Sequence, residues 1–551
     1  MTGRSWTSKR DRKKHRLSIA GALADRSVVA TESVSELLRA VIAPGDRIVL
    51  EGDNQKQADF LSRALARLDP AEIYGLHMVI SSVSRPEHLD IFENGLARTL
   101  DFAYAGPQSS RIPALIADDT VRVGAIHTYL ELYARLFTDL VPDVALVAAE
   151  AADRDGNLYT GANTEETPTI VEATAFRNGI VIAQVNEIVE TGALPRIDIP
   201  GGWVDFVVQA DRPYAIEPLF TRDPAQITDM HVLLAMLAIR GVYERHEIES
   251  VNHGIGFDTA AIELLLPTFG ESLGLRGRIA RRFVLNPHPT LIPAIESGWV
   301  DTVTSFGGEL GMEDYVRARP DVFATGPDGS LRSNRMNAQV AGLYATDMFI
   351  GSTLQLDADA NSSTVVNDRL SGFGGAPNLG SDARGRRHPT AAWLGMSEPA
   401  LGSEPTIRRG RKLVVQIAES FGVGNVPKYV DRLDAIDIGR EAGMSQAPVM
   451  IYGDDVTHLI SEEGVAYLYL ANSAEERRQA VAALAGAGPL GRTVSESDRR
   501  VLRRDGILAT PADLGVDPAQ AGRHLLAADS IEDLVAWSGG LYKPPARFRK
   551  W

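Results

Sequence analysis

The chain has 551 residues, more than one hydrophobic core serves, so two or three domains are expected. It is 44% hydrophobic and 23% charged, as in an ordinary globular protein, and no run of 18 apolar residues is present to span a membrane. A net charge of −16 argues against nucleic acid as a partner, and the absence of cysteine excludes disulfides, thiol nucleophiles, iron–sulfur clusters and cysteine-held zinc.

Residues 1–16 carry seven Lys or Arg against one Asp, with no apolar stretch behind them. This reads as a solvated basic arm over residues 1–25, not a secretory signal, and the expected location is cytoplasmic. Arg47-Ile48-Val49-Leu50 then reads as a buried strand, followed by a turn and a helical rhythm over residues 57–68. Residues 76–80, 144–149 and 180–185 are further strand-like runs, and Asp153-Arg154-Asp155-Gly156-Asn157 reads as a turn because no glutamate completes a calcium loop. This alternation predicts an open, largely parallel α/β sheet with its ligand at the C-terminal ends of the strands.

The pattern restarts with an apolar helix over residues 229–242 and the strand-like run 248–251, which ends in Asn252-His253-Gly254-Ile255-Gly256. The fold class expected is therefore α/β, with two tandem open, largely parallel units at residues 26–220 and 221–490, joined near 210–228. A helical extension and basic tail follow at 491–551. The tail, from Lys543 to Trp551, is expected to cover a neighbouring surface or to fray. In the second unit the apolar run 348–356 precedes the glycine-rich Ser371-Gly372-Phe373-Gly374-Gly375-Ala376-Pro377-Asn378-Leu379, a turn expected at a strand end where backbone meets ligand. No His-x-x-x-His pair occurs, so no metal is expected, and His458 reads as a strand residue with a structural hydrogen bond.

Four segments in order carry a resemblance. Pro142-Asp143-Val144-Ala145-Leu146-Val147 with Val181-Ile182-Ala183-Gln184-Val185-Asn186-Glu187 is similar to the first domain of coenzyme A transferases. Asn252-His253-Gly254-Ile255-Gly256 resembles their second-domain opening, and the run 371–379 their coenzyme-binding glycine turn. Thr457-His458-Leu459-Ile460-Ser461-Glu462-Glu463-Gly464-Val465-Ala466 resembles the late strand of the acetyl-coenzyme A hydrolase branch. One departure matters. Where covalent transferases carry a catalytic glutamate, this chain has Leu285-Asn286-Pro287-His288-Pro289. That is similar to the transferase subunits of citrate lyase and, most of all, to the malonate decarboxylase α-subunit family.

The resemblance implies exchange of acetyl for malonyl on an acyl carrier protein, without a bound cofactor, acting on the carrier's phosphoribosyl-dephospho-coenzyme A thiol. Malonate, acetate, the carrier and decarboxylase subunits are the implied partners. Asn252, His253, Asn286 and His288 are the catalytic candidates, as donors to developing negative charge. Gly254, Gly256, Gly372, Gly374, Gly375 and Asn186 are the substrate-binding candidates. Arg384, Arg386 or Arg387 would hold the free carboxylate, and Arg408-Arg409-Gly410-Arg411-Lys412 would meet the carrier. With no glutamate in place, malonate itself would attack the thioester; Glu187 and Glu309 are the alternative protein nucleophiles. Two other readings remain open: a citrate lyase-type or acetate coenzyme A transferase, and a non-catalytic scaffold that binds acyl thioesters.

Overall fold

β-Branched and apolar runs form two open sheets in the computed structural model, which describes residues 6–53, 55–331, 334–381 and 412–549. The first sheet contains β1 (Ala24–Asp25), β2 (Val28–Val29), β3 (Arg47–Leu50), β4 (Leu76–Val83), β5 (Ala97–Ala105), β6 (Arg122–Ile126), β7 (Val144–Asp153), β8 (Ile180–Val189) and β9 (Phe206–Gln209). Their order is β1-β2-β9-β8-β7-β3-β4-β5-β6, parallel except at β1 with β2, and a tenth short strand, Leu158–Tyr159, pairs antiparallel with the end of β7. Successive residues of a strand point to opposite faces. Along β7, Leu146 and Ala148 therefore enter one apolar layer, and Ala145, Val147 and Ala149 the other. A strand buried on both faces has to be apolar along its length, which is why 144–149 reads as a continuous hydrophobic run.

The second sheet contains β10 (Ser250–His253), β11 (Arg282–Val284), β12 (Thr302–Thr304), β13 (Met348–Ser352), β14 (Leu413–Ile417), β15 (His458–Ser461), β16 (Gly464–Tyr467) and β17 (Leu508–Ala509). It runs β12-β11-β10-β13-β14-β15-β16-β17, parallel from β12 to β15 and antiparallel over the last two pairings. The two tandem, largely parallel α/β units expected from the alternation are present. Between β9 and the next long helix, residues 210–228 form only the short 3₁₀ turns Phe220–Arg222 and Pro224–Gln226.

Six helices position the rest: α1 (Trp6–Ala20), α2 (Tyr129–Thr138), α3 (Asp229–Ala238), α4 (Phe257–Leu265), α5 (Arg335–Tyr344) and α6 (Ala376–Leu379). α1 corrects the solvated-arm expectation. Lys9 Nζ donates to the Pro142 carbonyl at 2.7 Å, Lys13 pairs with Asp205 at 2.8 Å and Arg16 with Asp46 at 2.6 Å. The basic residues of α1 thus satisfy carbonyls and carboxylates at the N-terminal edge of the first sheet, far from the strand ends where a ligand belongs. At the other terminus, β17 extends the second sheet, and the tail folds back on its own chain. Lys543 N donates to the Gly311 carbonyl at 2.9 Å, and Arg547 reaches Glu217 at 3.1 Å.

Several contacts tie the units, among them those of the glycine-rich turn and of Arg335. The glycine-rich turn does not end β13; it lies on β5 of the first sheet, where Ala105 N donates to the Ser371 carbonyl at 2.7 Å and Gly374 N to the Ala103 carbonyl at 2.9 Å. Beside it, Arg335 at the start of α5 is buried between the units. It donates to Glu165 and Asp53, each at 2.8 Å, and to Gln55 at 3.0 Å, with its guanidinium 4.8 Å from the centre of the Tyr129 ring. Burial raises the Glu165 and Glu166 carboxyls to about 8, with the Asp53 charge adding to the effect at both. Removing one partner from a buried ion cluster leaves the others uncompensated. Arg335→Ala is therefore expected to lower stability by about 3–5 kcal/mol in urea unfolding; a loss under about 1 kcal/mol would contradict the tie.

Candidate active site

Two segments meet at the C-terminal ends of the second sheet's parallel strands: the end of β10 with the loop 254–256 that follows it, and 285–290 after β11. They are joined by a carboxylate. α4 is an apolar helix, Ala260-Ala261-Ile262-Glu263-Leu264-Leu265, and its one acid within that run is fully buried. Glu263 Oε1 accepts from His253 Nδ1 at 2.9 Å and from His288 Nδ1 at 3.0 Å, and Oε2 accepts from the Thr290 hydroxyl at 2.5 Å. Burial works against the Glu263 charge, but the charge of His288 and the hydrogen bonds from both imidazoles outweigh it and hold the carboxyl well below the usual range. α3 continues into a π-helical stretch, Ile239–Glu244, which turns the Tyr243 hydroxyl to 2.7 Å from His253 Nε2.

The four catalytic candidates are thus drawn together, in different states. Both nitrogens of His253 are engaged, so it is a buried bridge. His288 uses only Nδ1; Nε2 has no partner among the described residues, and 5% of the side chain stays accessible. Asn252 donates through Nδ2 to the Val284 carbonyl, which leaves its buried Oδ1 without a partner among the described residues. The Asn286 Oδ1 is likewise buried and unpartnered. Buried polar atoms nearly always find partners, so two such oxygens at one strand edge mark a place built for something other than packing.

Two of the glycine amides are committed within the fold. Gly254 N is taken by the Ile350 carbonyl at 2.7 Å, and Gly374 N by Ala103. These positions permit close approach: a Cβ on Gly254 would sit 3.0 Å from the Gly351 Cα, and one on Gly375 would sit 2.6 Å from the Gln339 amide. A Cβ on Gly256 would meet Ser352 Oγ at 2.6 Å. Gly372 has φ +70° and faces the Ala103 carbonyl, 2.5 Å from where its Cβ would be.

Asn186 lies apart from this cluster, at the end of β8, with its amide held by Glu150 at 3.1 Å and by the Tyr214 N–H at 2.9 Å. Glu187 is exposed there. Glu309 is buried and bound through Oε1 to Arg222 and to Leu219 N at 2.9 Å, so that oxygen is committed. Arg384, Arg386, Arg387 and Arg408–411 lie outside the described residues. Lys412, the described end of that basic run, is not a surface group: it is buried and donates to the Gly342 carbonyl.

Sequence reading missed Glu263, Tyr243, Thr290, Gln339 and Arg335. Only Glu263 left a signal, as a lone acid inside an apolar helical run. α5 brings in two others: Arg335 and Gln339, four residues apart, share one helix face. Arg335 stacks on Tyr129, whose N–H donates to the Gly374 carbonyl at 3.1 Å, and Gln339 accepts from Asn378 at 2.6 Å.

The family model described as "Malonate decarboxylase, alpha subunit, transporter" matches residues 5–551. This chain belongs to that family. The acetyl-S-ACP:malonate ACP transferase of Malonomonas rubra is 54% identical over 545 residues, 98% of each chain. A chain in the crystal structure of a Pseudomonas malonate decarboxylase hetero-tetramer in complex with malonate is 61% identical, with a TM-score of 0.96 over 99% of both chains. At the level of fold alone, an acyl-CoA transferase from Escherichia coli O157:H7 is 15% identical, with a TM-score of 0.51 over 79% of this chain and 87% of that one. The two-unit fold is thus shared with that acyl-CoA transferase.

Two predictions follow from the geometry. Gly372→Ala combines a strained φ with a backbone clash and is expected to cost about 1–3 kcal/mol in unfolding experiments. Glu263→Gln should cost about 2–3 kcal/mol at pH 7, because charge-assisted hydrogen bonds to both imidazoles are lost. Since the folded state holds this carboxyl below its ordinary 4.5, the stabilisation is present above that pH and is lost as pH falls through and below it. The gap between wild type and variant in denaturant midpoint should therefore close on acidification; a constant gap would contradict the role of charge.

Proposed function

We propose that this chain exchanges acetate for malonate on a carrier thioester: acetyl-carrier plus malonate gives malonyl-carrier plus acetate. It would act as the transferase subunit of a malonate decarboxylase, with a carrier protein and decarboxylase subunits as partners. The carrier's phosphoribosyl-dephospho-coenzyme A thiol would be the group acted on, in a cytoplasmic complex. The observation that carries this reading is the 54% identity, over nearly the whole of both chains, to an acetyl-S-ACP:malonate ACP transferase.

In the mechanism proposed, malonate is the nucleophile. One malonate carboxylate attacks the acetyl carbonyl, the carrier sulfur leaves, and a mixed acetyl–malonyl anhydride forms. The sulfur then attacks the malonyl carbonyl and acetate departs, so each bond broken is matched by one made. Asn286 supports this route, since an amide stands at the strand end where covalent transferases place a glutamate. Glu309 is tied to Arg222, and Glu187 is exposed at the distant end of β8, so neither is poised to replace it. The Asn286 amide nitrogen is the side-chain donor left for a developing oxyanion at this edge, since Asn252 Nδ2 is committed to the Val284 carbonyl, and the glycine turn would let the thioester approach the backbone.

Incubation of the full chain with acetyl-coenzyme A as carrier surrogate and ¹³C-malonate should yield ¹³C-malonyl-coenzyme A and acetate by mass spectrometry. Citrate or succinate in place of malonate should yield none. Product with citrate would shift the substrate assignment within the same fold, and thioester binding without any exchange would favour a scaffold. Borohydride added during turnover should leave Glu187 and Glu309 unmodified; an alcohol at either would contradict direct attack.

A further inference from the structure

The Glu263 cluster contains one imidazole nitrogen that packing does not account for. His253 is closed on both sides, by Glu263 and by Tyr243. Glu263 itself is saturated by His253, His288 and Thr290. That leaves Nε2 of His288, on the only ring of the cluster with accessible surface beyond its bonded edge, at the tip of the loop that carries Asn286. His288 N also donates to the Asn286 carbonyl at 2.7 Å, so the loop is folded tightly on itself and the ring cannot drift.

We infer that His288 carries the thiol proton of the carrier between the two half-reactions, with Glu263 as the positioning residue that fixes its ring. The inference rests on the transferase reading above. Its chemical motive is leaving-group competition. In the tetrahedral adduct of malonate with the acetyl thioester, the carboxylate is the better leaving group by about four pKa units, so the adduct collapses backwards unless sulfur receives a proton. The imidazolium of His288 supplies it from Nε2 as the C–S bond breaks, which gives thiol, neutral imidazole and mixed anhydride. When the sulfur attacks the malonyl carbonyl, Nε2 takes the proton back and acetate leaves as the anion. The proton begins and ends on His288, and no other reactant is required.

The geometry suits this cycle because Nδ1 keeps its hydrogen on Glu263 in both states of the ring. Only Nε2 changes, and the Glu263 carboxylate behind the ring holds its orientation, as in carboxylate–histidine pairs of other acyl-transfer enzymes. A histidine that served only to neutralise Glu263 would gain nothing from an open second nitrogen.

The test compares wild type, His288→Gln and Glu263→Gln as full chains, with malonate and two acetyl donors. Acetyl-coenzyme A has an alkyl thiol that needs a proton to leave, whereas S-(4-nitrophenyl) thioacetate expels a thiolate that does not. With acetyl-coenzyme A, His288→Gln is expected to lose about 100-fold or more in kcat, with little change in the KM for malonate, and to flatten the pH profile. With the nitrophenyl thioester the same variant should keep its malonate-dependent thiolate release within about threefold of wild type. Glu263→Gln should shift the pH profile and lose less, and imidazole added to His288→Gly should restore part of the coenzyme A reaction. Equal losses with both donors, or a fully active His288→Gln, would overturn the inference while leaving the transferase reading intact. A wild type inactive with malonate and acetyl-coenzyme A would overturn that reading, and this inference with it.

Discussion

Arg335 is joined to Asp53 and Glu165, residues 282 and 170 positions away in the sequence, and the layout of the site depends on that junction. A guanidinium buried among carboxylates has one low-energy placement, because any displacement leaves a charge without compensation. It fixes the start of α5, and one turn later the same face presents Gln339 beneath Gly375 and beside Asn378. Arg335 stacks on the ring of Tyr129, whose backbone N–H donates to the Gly374 carbonyl. A glycine turn that belongs to the second unit in sequence is thereby held against the first unit in space. Its hydrogen bonds to Ala103 and Ala105 make it part of the β5 edge.

Two carboxylate arrangements in this chain illustrate opposite uses of burial. Glu165 and Glu166 lie where burial and nearby acids outweigh their donors, so their carboxyls stay protonated beyond the normal range and the junction carries less negative charge than its composition implies. Glu263 is equally buried, but two imidazoles and a hydroxyl converge on it and keep it anionic. The first arrangement binds the units without accumulating repulsion. The second supplies a fixed negative charge behind a histidine at the strand edge. Asn286 stands at the same strand edge, and in the proposed mechanism the carboxylate of the substrate takes the nucleophile's role.

Much of the architecture was legible because it depends on short-range periodicity. The β7 run 144–149 is apolar at each position since both its faces are covered, and α3 follows the apolar run from residue 229. The loops at 252–256 and 371–379 stood out through glycines that admit close backbone approach. What the sequence concealed is non-local. The basic residues of α1 look like a solvated arm until Pro142, Asp205 and Asp46 are seen to receive them. Residues 371–375 read as the end of β13, yet they bond to β5. His253 and His288 looked equivalent beside their loops, and only Tyr243, carried in by a π-helical turn, separates the closed ring from the open one. Glu263 could have been suspected as an acid inside an apolar helix; Arg335 could not, because its partners lie in the other unit.

In the proposed mechanism the substrate's carboxylate takes the place of a protein carboxylate, and the origin of one oxygen atom tests that. In a single turnover with enzyme in excess over acetyl-coenzyme A, malonate labelled with ¹⁸O in every carboxylate oxygen should give its bridging oxygen to the departing acetate. The account predicts first-turnover acetate with one ¹⁸O and no label in the protein. Unlabelled acetate in that first turnover, with ¹⁸O appearing in a protein carboxyl, would establish an acyl-enzyme and contradict it.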